Sequence, residues 1–240
     1  VQLAQIPQFK VETISATESP QKVIYLALHQ DYSPDYVTDT ELTEEDCGRI
    51  IVDRLLKGNR GHYGPLEHVT ISLAVRADHA TIMQLRTHRH LTFDVQSMRY
   101  TSDHIKRVAR GEVDVEEAFY IRPEGIYESR NRKGYVWDDR RRKDARYRMQ
   151  VAAGDYADDL DSGIPPEHAR HYLPSGYLQN ATISGNLRSW LHLLEVRSKL
   201  NAQVEIQNIA DLIHLELLRW APDVVNWWVT NRQKKAILSP

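Results

Sequence analysis

Between Gln84 and Tyr100 the chain reads Gln-Leu-Arg-Thr-His-Arg-His-Leu-Thr-Phe-Asp-Val-Gln-Ser-Met-Arg-Tyr. Cations, amides, hydroxyls and a carboxylate crowd into less than two helical turns and a short extended run. So many directional donors do not suit a core element, while Leu91, Phe93 and Tyr100 do not suit a solvated tail. Groups of this kind hold a phosphate and a flat polar ring together, because guanidinium forks and charge-assisted hydrogen bonds fix both position and orientation. The competing reading is an exposed loop that carries surface charge.

A second polar constellation lies further on. Ala169-Arg170 and Leu173-Pro174 are followed by Asn186, Arg188, His192 and Arg197 in a Leu-rich helical stretch, then by Asn201-Ala-Gln-Val-Glu-Ile206. Asn186, Trp190, Leu193 and Arg197 share one helical face, and Arg188 with His192 share a neighbouring one. Arginine on such a helix is costly unless its charge is met. Either Glu195 and Glu205 neutralise these cations, or a bound anion does.

Local patterns say which elements position these groups. Val11–Ser15 alternates like a strand. Ser19-Pro20 opens a helix through Leu28, with Ser as cap and Pro at the first helical position. A second helix starts at Thr43, boxed by Asp46, and stops at Gly58. After a turn over Gly61–Pro65, Val69, Ile71, Leu73 and Val75 alternate with small or polar residues, the pattern of a half-buried strand. Asp78 caps the helix that delivers the chain to His88 and Arg89. Residues 101–136 are poorly patterned, with Phe119–Pro123 reading as a strand end. Tyr135–Leu160 reads as a charged helix, Pro165-Pro166 starts another, and helical spacing runs from Asn186 to Trp220. Mixed strands and long helices without repeats or linkers indicate one α/β (α+β) domain over residues 1–240.

The composition fits an ordinary soluble protein: 240 residues, 27% charged, formal net charge −2. No apolar run has membrane length, and the first residues lack a basic region followed by an apolar stretch, so a cytoplasmic protein is expected. Cys47 is the single cysteine. It excludes an internal disulfide and a Cys-rich zinc site, no metal is expected, and the residue reads as a small buried side chain. The basic segment 130–148 interleaves Arg and Lys with Tyr135, Trp137 and Tyr147, which would suit a nucleic-acid patch. Asp138, Asp139 and Asp144 are spaced to pair with those bases, which favours a solvated or inter-subunit helix face and no nucleic-acid partner.

The first constellation resembles the signature of the flavin-dependent thymidylate synthases, an Arg-His-Arg triplet, seven residues, then Ser-x-Arg-Tyr. His88, Arg89, Gln96, Ser97, Arg99 and Tyr100 fall on it. Thr87 stands where Arg is usual, Thr92 for Ser, Asp94 for Asn and Val95 for Glu. The family's Ala-Arg-x-x-Leu-Pro, Asn-x-Arg, Leu-Arg and Ala-Gln-x-Glu-Ile patterns are similar to the second constellation, and its Glu-His-x-Ser/Thr matches Glu67, His68 and Thr70. The likeness runs from about residue 62 to 210.

That resemblance implies reductive methylation of dUMP to dTMP, with methylenetetrahydrofolate as one-carbon donor and NADPH reducing a bound FAD. It implies a homotetramer whose sites are shared between subunits, and no thiol nucleophile. By position, dUMP would be held by Gln84, Arg86, Thr87, Val95, Gln96, Ser97, Arg99, Arg170 and Arg197. Arg197 would face the uracil carbonyl edge and stabilise charge there. FAD would be held by Thr70, His88, Arg89, Thr92, Asp94, Asn186, Arg188, His192 and Asn201; Asn is more usual at 192 and His at 201. His68 is implied near folate or flavin, in a positioning role. Arg86 is expected to replace the guanidinium missing at Thr87. Because Thr87, Asp94 and Val95 lie near substrate selection, a homologue acting on another pyrimidine nucleotide, or transferring a hydroxymethyl group, stays open.

Overall fold

A computed structural model describes residues 6–58, 62–128 and 133–233. The elements follow in the order β1 (Lys10–Ala16), α1 (Pro20–Gln30), α2 (Glu44–Ile51), β2 (Thr70–Asp78), α3 (His79–Leu85), β3 (Thr92–Val95), α4 (Asp103–Ala109), β4 (Gly125–Glu128), β5 (Gly134–Trp137), α5 (Asp139–Asp161), α6 (Pro166–Ala169), β6 (Leu178–Asn186), α7 (Leu187–Arg197), α8 (Val204–Trp220) and α9 (Pro222–Asn231). Four strands form a sheet in the order β1-β2-β6-β3, and β4 pairs antiparallel with β5, Tyr127 opposite Tyr135. The mixture of helices and sheet is the expected α/β (α+β) class.

The chain resolves into two compact units. One comprises the stretch up to Lys10, Arg76–Leu85 and Asp94–Ala181; the other comprises Val11–Val75, Arg86–Phe93 and the stretch from Thr182 onward. The first unit has a core of Met98, Ile105, Val108, Val115, Phe119, Tyr156, Leu173 and Tyr177. In the second, Ile24, Ile51, Leu55, Leu73, Trp190, Leu193, Ile209, Ile213 and Leu217 are buried.

Local sequence explains much of this. β2 buries Ile71, Leu73, Val75 and Ala77 and turns its small or polar partners outward, as the alternation requires. Thr43 and Asp46 cap α2 reciprocally: Asp46 N–H donates to Thr43 Oγ1 (3.1 Å) and Thr43 N–H to Asp46 Oδ2 (3.4 Å). A π-helical turn, Val52–Leu56, then carries the chain to Gly58. The turn expected over Gly61–Pro65 begins outside the described residues; Gly64–Glu67 is a 3₁₀ turn.

Three expectations need correction. Ser19 precedes α1 but is left-handed (φ 45°) and does not cap it with its side chain. The carboxylate of Glu44 takes that role, accepting from the N–H groups of Gln21 (2.6 Å) and Lys22 (2.9 Å), and its charge also suits the positive helix end. The charged helix does not begin at Tyr135: residues 134–137 pair with β4, and Asp138 caps a helix from Asp139, accepting from Arg141 N–H (2.9 Å). The bases of that helix are met by another segment as much as by their own. Lys143 pairs with Asp139 (2.8 Å), but Arg142 reaches Glu116, and Arg146 reaches Asp114 (2.6 Å) and Glu116. Arg130 and Arg132 lie outside the described residues. Among those described, no helix is long and apolar enough to cross a membrane, and no group of three His, Cys, Asp or Glu could hold a metal ion.

Candidate functional site

In the second unit, α7 is the element on which polar groups converge. Asn186 caps it, its Oδ1 accepting from Ser189 N–H (2.9 Å), so one side of this amide is structural and its NH₂ is left for a ligand. Trp190, Leu193 and Leu194 are buried. Leu187 N–H donates to Val69 O (3.2 Å) and Trp190 Nε1 to Ile71 O (3.4 Å), which ties the start of the helix to the Glu-His-x-Thr segment. Arg188 donates to Glu67 Oε1 at 2.5 Å, so two separated sequence patterns meet in one ion pair. With both side chains about a third to a half exposed, that pair is worth at most about 1 kcal/mol. Its effect is to aim the guanidinium.

The other end of α7 carries Arg197. Its Nε donates to His88 Nε2 (2.9 Å) and its Nη2 to Thr87 Oγ1 (2.7 Å). His192 meets the His88 ring edge-on, with centroids 5.9 Å apart. Since Nε2 of His88 accepts, its proton sits on Nδ1 and the ring is neutral. Burial, then the Arg197 charge and then His192 pull the His88 pKa down to about 4. Burial also lowers that of Arg197. The loop holding His88 is pinned by Leu91, which is buried and fits only because residue 185 lacks a side chain: a Cβ on Gly185 would stand 2.2 Å from Leu91 Cδ2.

This changes the reading of two residues. Thr87, where the family usually has Arg, supplies an acceptor to Arg197 instead of a second cation beside it. Glu195, offered as a neutraliser of Arg188 or Arg197, instead holds Arg232 of the segment after α9, through Nε to Oε1 (3.2 Å) and Nη2 to Oε2 (3.3 Å), both side chains buried. Glu67, of the Glu-His-x-Thr pattern, is Arg188's partner, a role that its sequence position alone does not reveal. Arg188, His192 and Glu195 border an open recess with Tyr63 and Trp228 among its walls. An aromatic and apolar recess with a cation at its edge suits a flat ring bearing phosphate, which is what the residues expected for flavin would need. His68, Thr70, Arg89, Thr92 and Asn201 are exposed in this unit, His68 closing the 3₁₀ turn before β2 and Asn201 in the turn between α7 and α8. Arg86 is exposed next to Thr87.

The first unit carries the groups expected for phosphate. A turn from Ser97 to Tyr100 is closed by Tyr100 N–H to Ser97 O (3.1 Å) and by the Thr101 hydroxyl to the same carbonyl (3.1 Å). Among the described residues, the main-chain N–H groups of Ser97, Met98 and Arg99 have no main-chain acceptor. Successive unspent N–H groups beside a hydroxyl and a guanidinium form an anion cradle. Met98 is buried in the same core as Ala169, Tyr156 and Leu173, so that core supports both the turn and the segment bearing Arg170. Arg99 lies 3.7 Å from Glu167, and both Arg99 and Arg170 are exposed. Tyr156 and Tyr177 have hydroxyl pKa values raised by burial, with Arg170 pulling the other way. Gln84, half-buried, is the last residue but one of α3; Asp94 is exposed and Val95 half-buried on β3. The Oε1 of Gln96 accepts from Asn180 N–H (3.0 Å), which ties this side chain to the backbone of β6.

Comparison with known proteins agrees with the sequence patterns. Residues 12–223 match the family model described as thymidylate synthase complementing protein. A flavin-dependent thymidylate synthase from Halobacterium salinarum is 31% identical over 96% of this chain and 100% of its own length. One from Haloarcula marismortui is 31% identical over 91% of this chain and 94% of its own. Among solved structures, the UMP/dUMP methylase PolB from Streptomyces cacaoi, bound with 5-Br dUMP, superposes with a TM-score of 0.73 at 23% identity, covering 97% of each chain, a likeness of fold. With the family model spanning most of the sequence and relatives matched over nearly their whole length, the chain belongs to the flavin-dependent thymidylate synthase family.

Proposed function

We propose that this chain reductively methylates dUMP to dTMP in the cytoplasm, using methylenetetrahydrofolate as one-carbon donor and NADPH as reductant, with FAD bound and sites shared in a homotetramer. The observation that carries the reading is the manner in which Arg197 is held. Its hydrogen bonds run to a hydroxyl and to a neutral imidazole. These two acceptors hold the guanidinium at Nε and at Nη2 and so fix its orientation. A guanidinium oriented in this way can stabilise negative charge that develops on a uracil carbonyl edge as C5 becomes nucleophilic.

Bound FAD would supply the hydride chemistry, and this chain's residues would supply binding and orientation. Arg188, His192, the Asn186 amide, Arg89, Thr70, Thr92, Asp94 and Asn201 are the groups offered to it. The Ser97–Arg99 cradle, with Arg170, is offered to the nucleotide phosphate, and Gln84, Val95, Arg86 and Thr87 complete the nucleotide set. His68 is offered as a positioning group toward folate or flavin. Cys47 is fully buried, and burial raises its thiol pKa, so it is a poor nucleophile.

The test is product analysis. Purified protein incubated with dUMP, methylenetetrahydrofolate, FAD and NADPH is expected to give dTMP, and dUMP is expected to speed NADPH oxidation. Parallel reactions with UMP, and a search for a 5-hydroxymethyl product, separate this reading from the related chemistries that Thr87, Asp94 and Val95 leave open. Absence of flavin binding at micromolar FAD, or of any methylated product, would refute it.

A further inference from the structure

Gln179 is buried at the start of β6, at 5% exposure, where an amide is costly unless both ends are bonded. Both are. Its Nε2 donates to the main-chain carbonyl of Gln96 (3.0 Å), and its Oε1 lies 2.7 Å from His79 Nδ1. The first bond fixes which way the amide points, so its oxygen faces the imidazole and Nδ1 of His79 must carry the proton. His79 is itself clamped. Its ring stacks on Tyr177 with centroids 4.8 Å apart, the Tyr177 hydroxyl lies 2.9 Å from Nδ1, and its main-chain N–H donates to Tyr177 O (2.9 Å). Gln96 is held from the same strand, its N–H donating to Asn180 O (2.9 Å) while its Oε1 accepts from Asn180 N–H (3.0 Å).

The carbonyl of Gln96 and the N–H of Ser97 belong to one peptide unit. That unit is planar and trans, so its C=O and N–H point to opposite edges. Holding the carbonyl on Gln179 therefore aims the Ser97 N–H away from Gln179, as the first donor of the anion cradle. If the peptide flipped, a carbonyl dipole would face the phosphate in place of a donor.

We propose that His79 and Gln179 are positioning residues for the nucleotide phosphate: His79 holds the Gln179 amide, and Gln179 locks the Gln96–Ser97 peptide with its N–H toward the anion. The proposal rests on the reading above that this turn binds the phosphate of dUMP. It uses residues that none of the sequence patterns contains.

The experiment measures equilibrium binding of dUMP and of 2′-deoxyuridine, which lacks the phosphate, to the FAD-loaded enzyme. Gln179→Met keeps the bulk and removes both bonds. It is expected to weaken dUMP binding about tenfold or more, the scale of one charged hydrogen bond, with 2′-deoxyuridine binding and turnover at saturating dUMP kept within about twofold. His79→Leu should move dUMP binding the same way. His79→Asn, whose amide N–H can take the place of Nδ1–H, should restore it. Unchanged dUMP affinity in Gln179→Met, equal losses for nucleotide and nucleoside, or no rescue by Asn would overturn the proposal. Nitrogen NMR of the wild-type protein is independent of any variant's folding: His79 is expected with its proton on Nδ1, and a proton on Nε2 alone would overturn it. Wild-type protein that fails to bind dUMP but shows the expected His79 tautomer would instead sink the functional reading.

Discussion

Acidification should destabilise this protein in part through one buried imidazole. His88 is 9% exposed, accepts from Arg197 at Nε2, and has its pKa pulled from the ordinary 6.5 to about 4 by burial first, then by Arg197 and His192. The folded state keeps the ring neutral while the unfolded state takes up a proton below about 6.5. The unfolded state is therefore favoured as pH falls from about 6.5 to about 4, and the contribution is intact above that window. Two and a half units amount to roughly 3 kcal/mol in full, of which about 2 kcal/mol is lost by about pH 5. For a chain of this size that is roughly 4–8 °C in melting temperature. The chain holds ten other histidines, so the comparison must be with His88→Gln, which can offer Arg197 an acceptor in place of Nε2 and does not titrate. Melting of both proteins at about pH 7.5 and about pH 5, at one protein concentration, should show the wild type losing about 2 kcal/mol more than the variant. Parallel losses, or an NMR titration of His88 centred near its ordinary value, would refute the assignment of a neutral, Arg-bonded ring.

Two further outcomes follow from the same side chains. Arg197→Lys keeps the charge but loses the fork that reaches both His88 and Thr87; turnover should fall about a hundred- to a thousandfold with FAD binding preserved, and normal turnover with only weaker dUMP binding would make Arg197 a binding residue alone. Cys47→Ala should leave turnover nearly intact and cost about 1 kcal/mol in stability, since a small buried group is lost; a thousandfold fall in a folded variant would mean that the thiol takes part in the chemistry.

Which parts of the molecule the sequence made legible depends on where the determining contacts lie. β2 was readable because its buried face is Ile71, Leu73, Val75 and Ala77, set against small or polar neighbours. β6 was not, although it is equally long, because its inward residues include Gln179 and Ala181 and only Ile183 is large. The amide of Gln179 is tolerated there by partners at His79 and Gln96, about a hundred and about eighty positions away in the chain. Tyr135–Trp137 was read as helix because the charged run after it is helical and continuous with it; the strand exists only through pairing with 125–128. Ser19 stands at a capping position, and it takes the placement of Glu44 to show that another side chain does the capping.

The same distinction applies to the arginines that sequence patterns single out. Arg188 and Arg197 stand nine positions apart on one helix and are equally conspicuous in the sequence. Their environments separate them: Arg188 faces the carboxylate of Glu67, while Arg197 binds a hydroxyl and a neutral ring. A paired cation is suited to orienting an already charged ligand whose affinity is shared by ground and transition states. A guanidinium held at two of its nitrogens by a hydroxyl and an imidazole is oriented for charge that appears only during reaction, which is where rate is gained. Thr87 fits this division. An arginine there would set a second positive charge beside Arg197, and the hydroxyl in its place supplies an acceptor that holds Nη2.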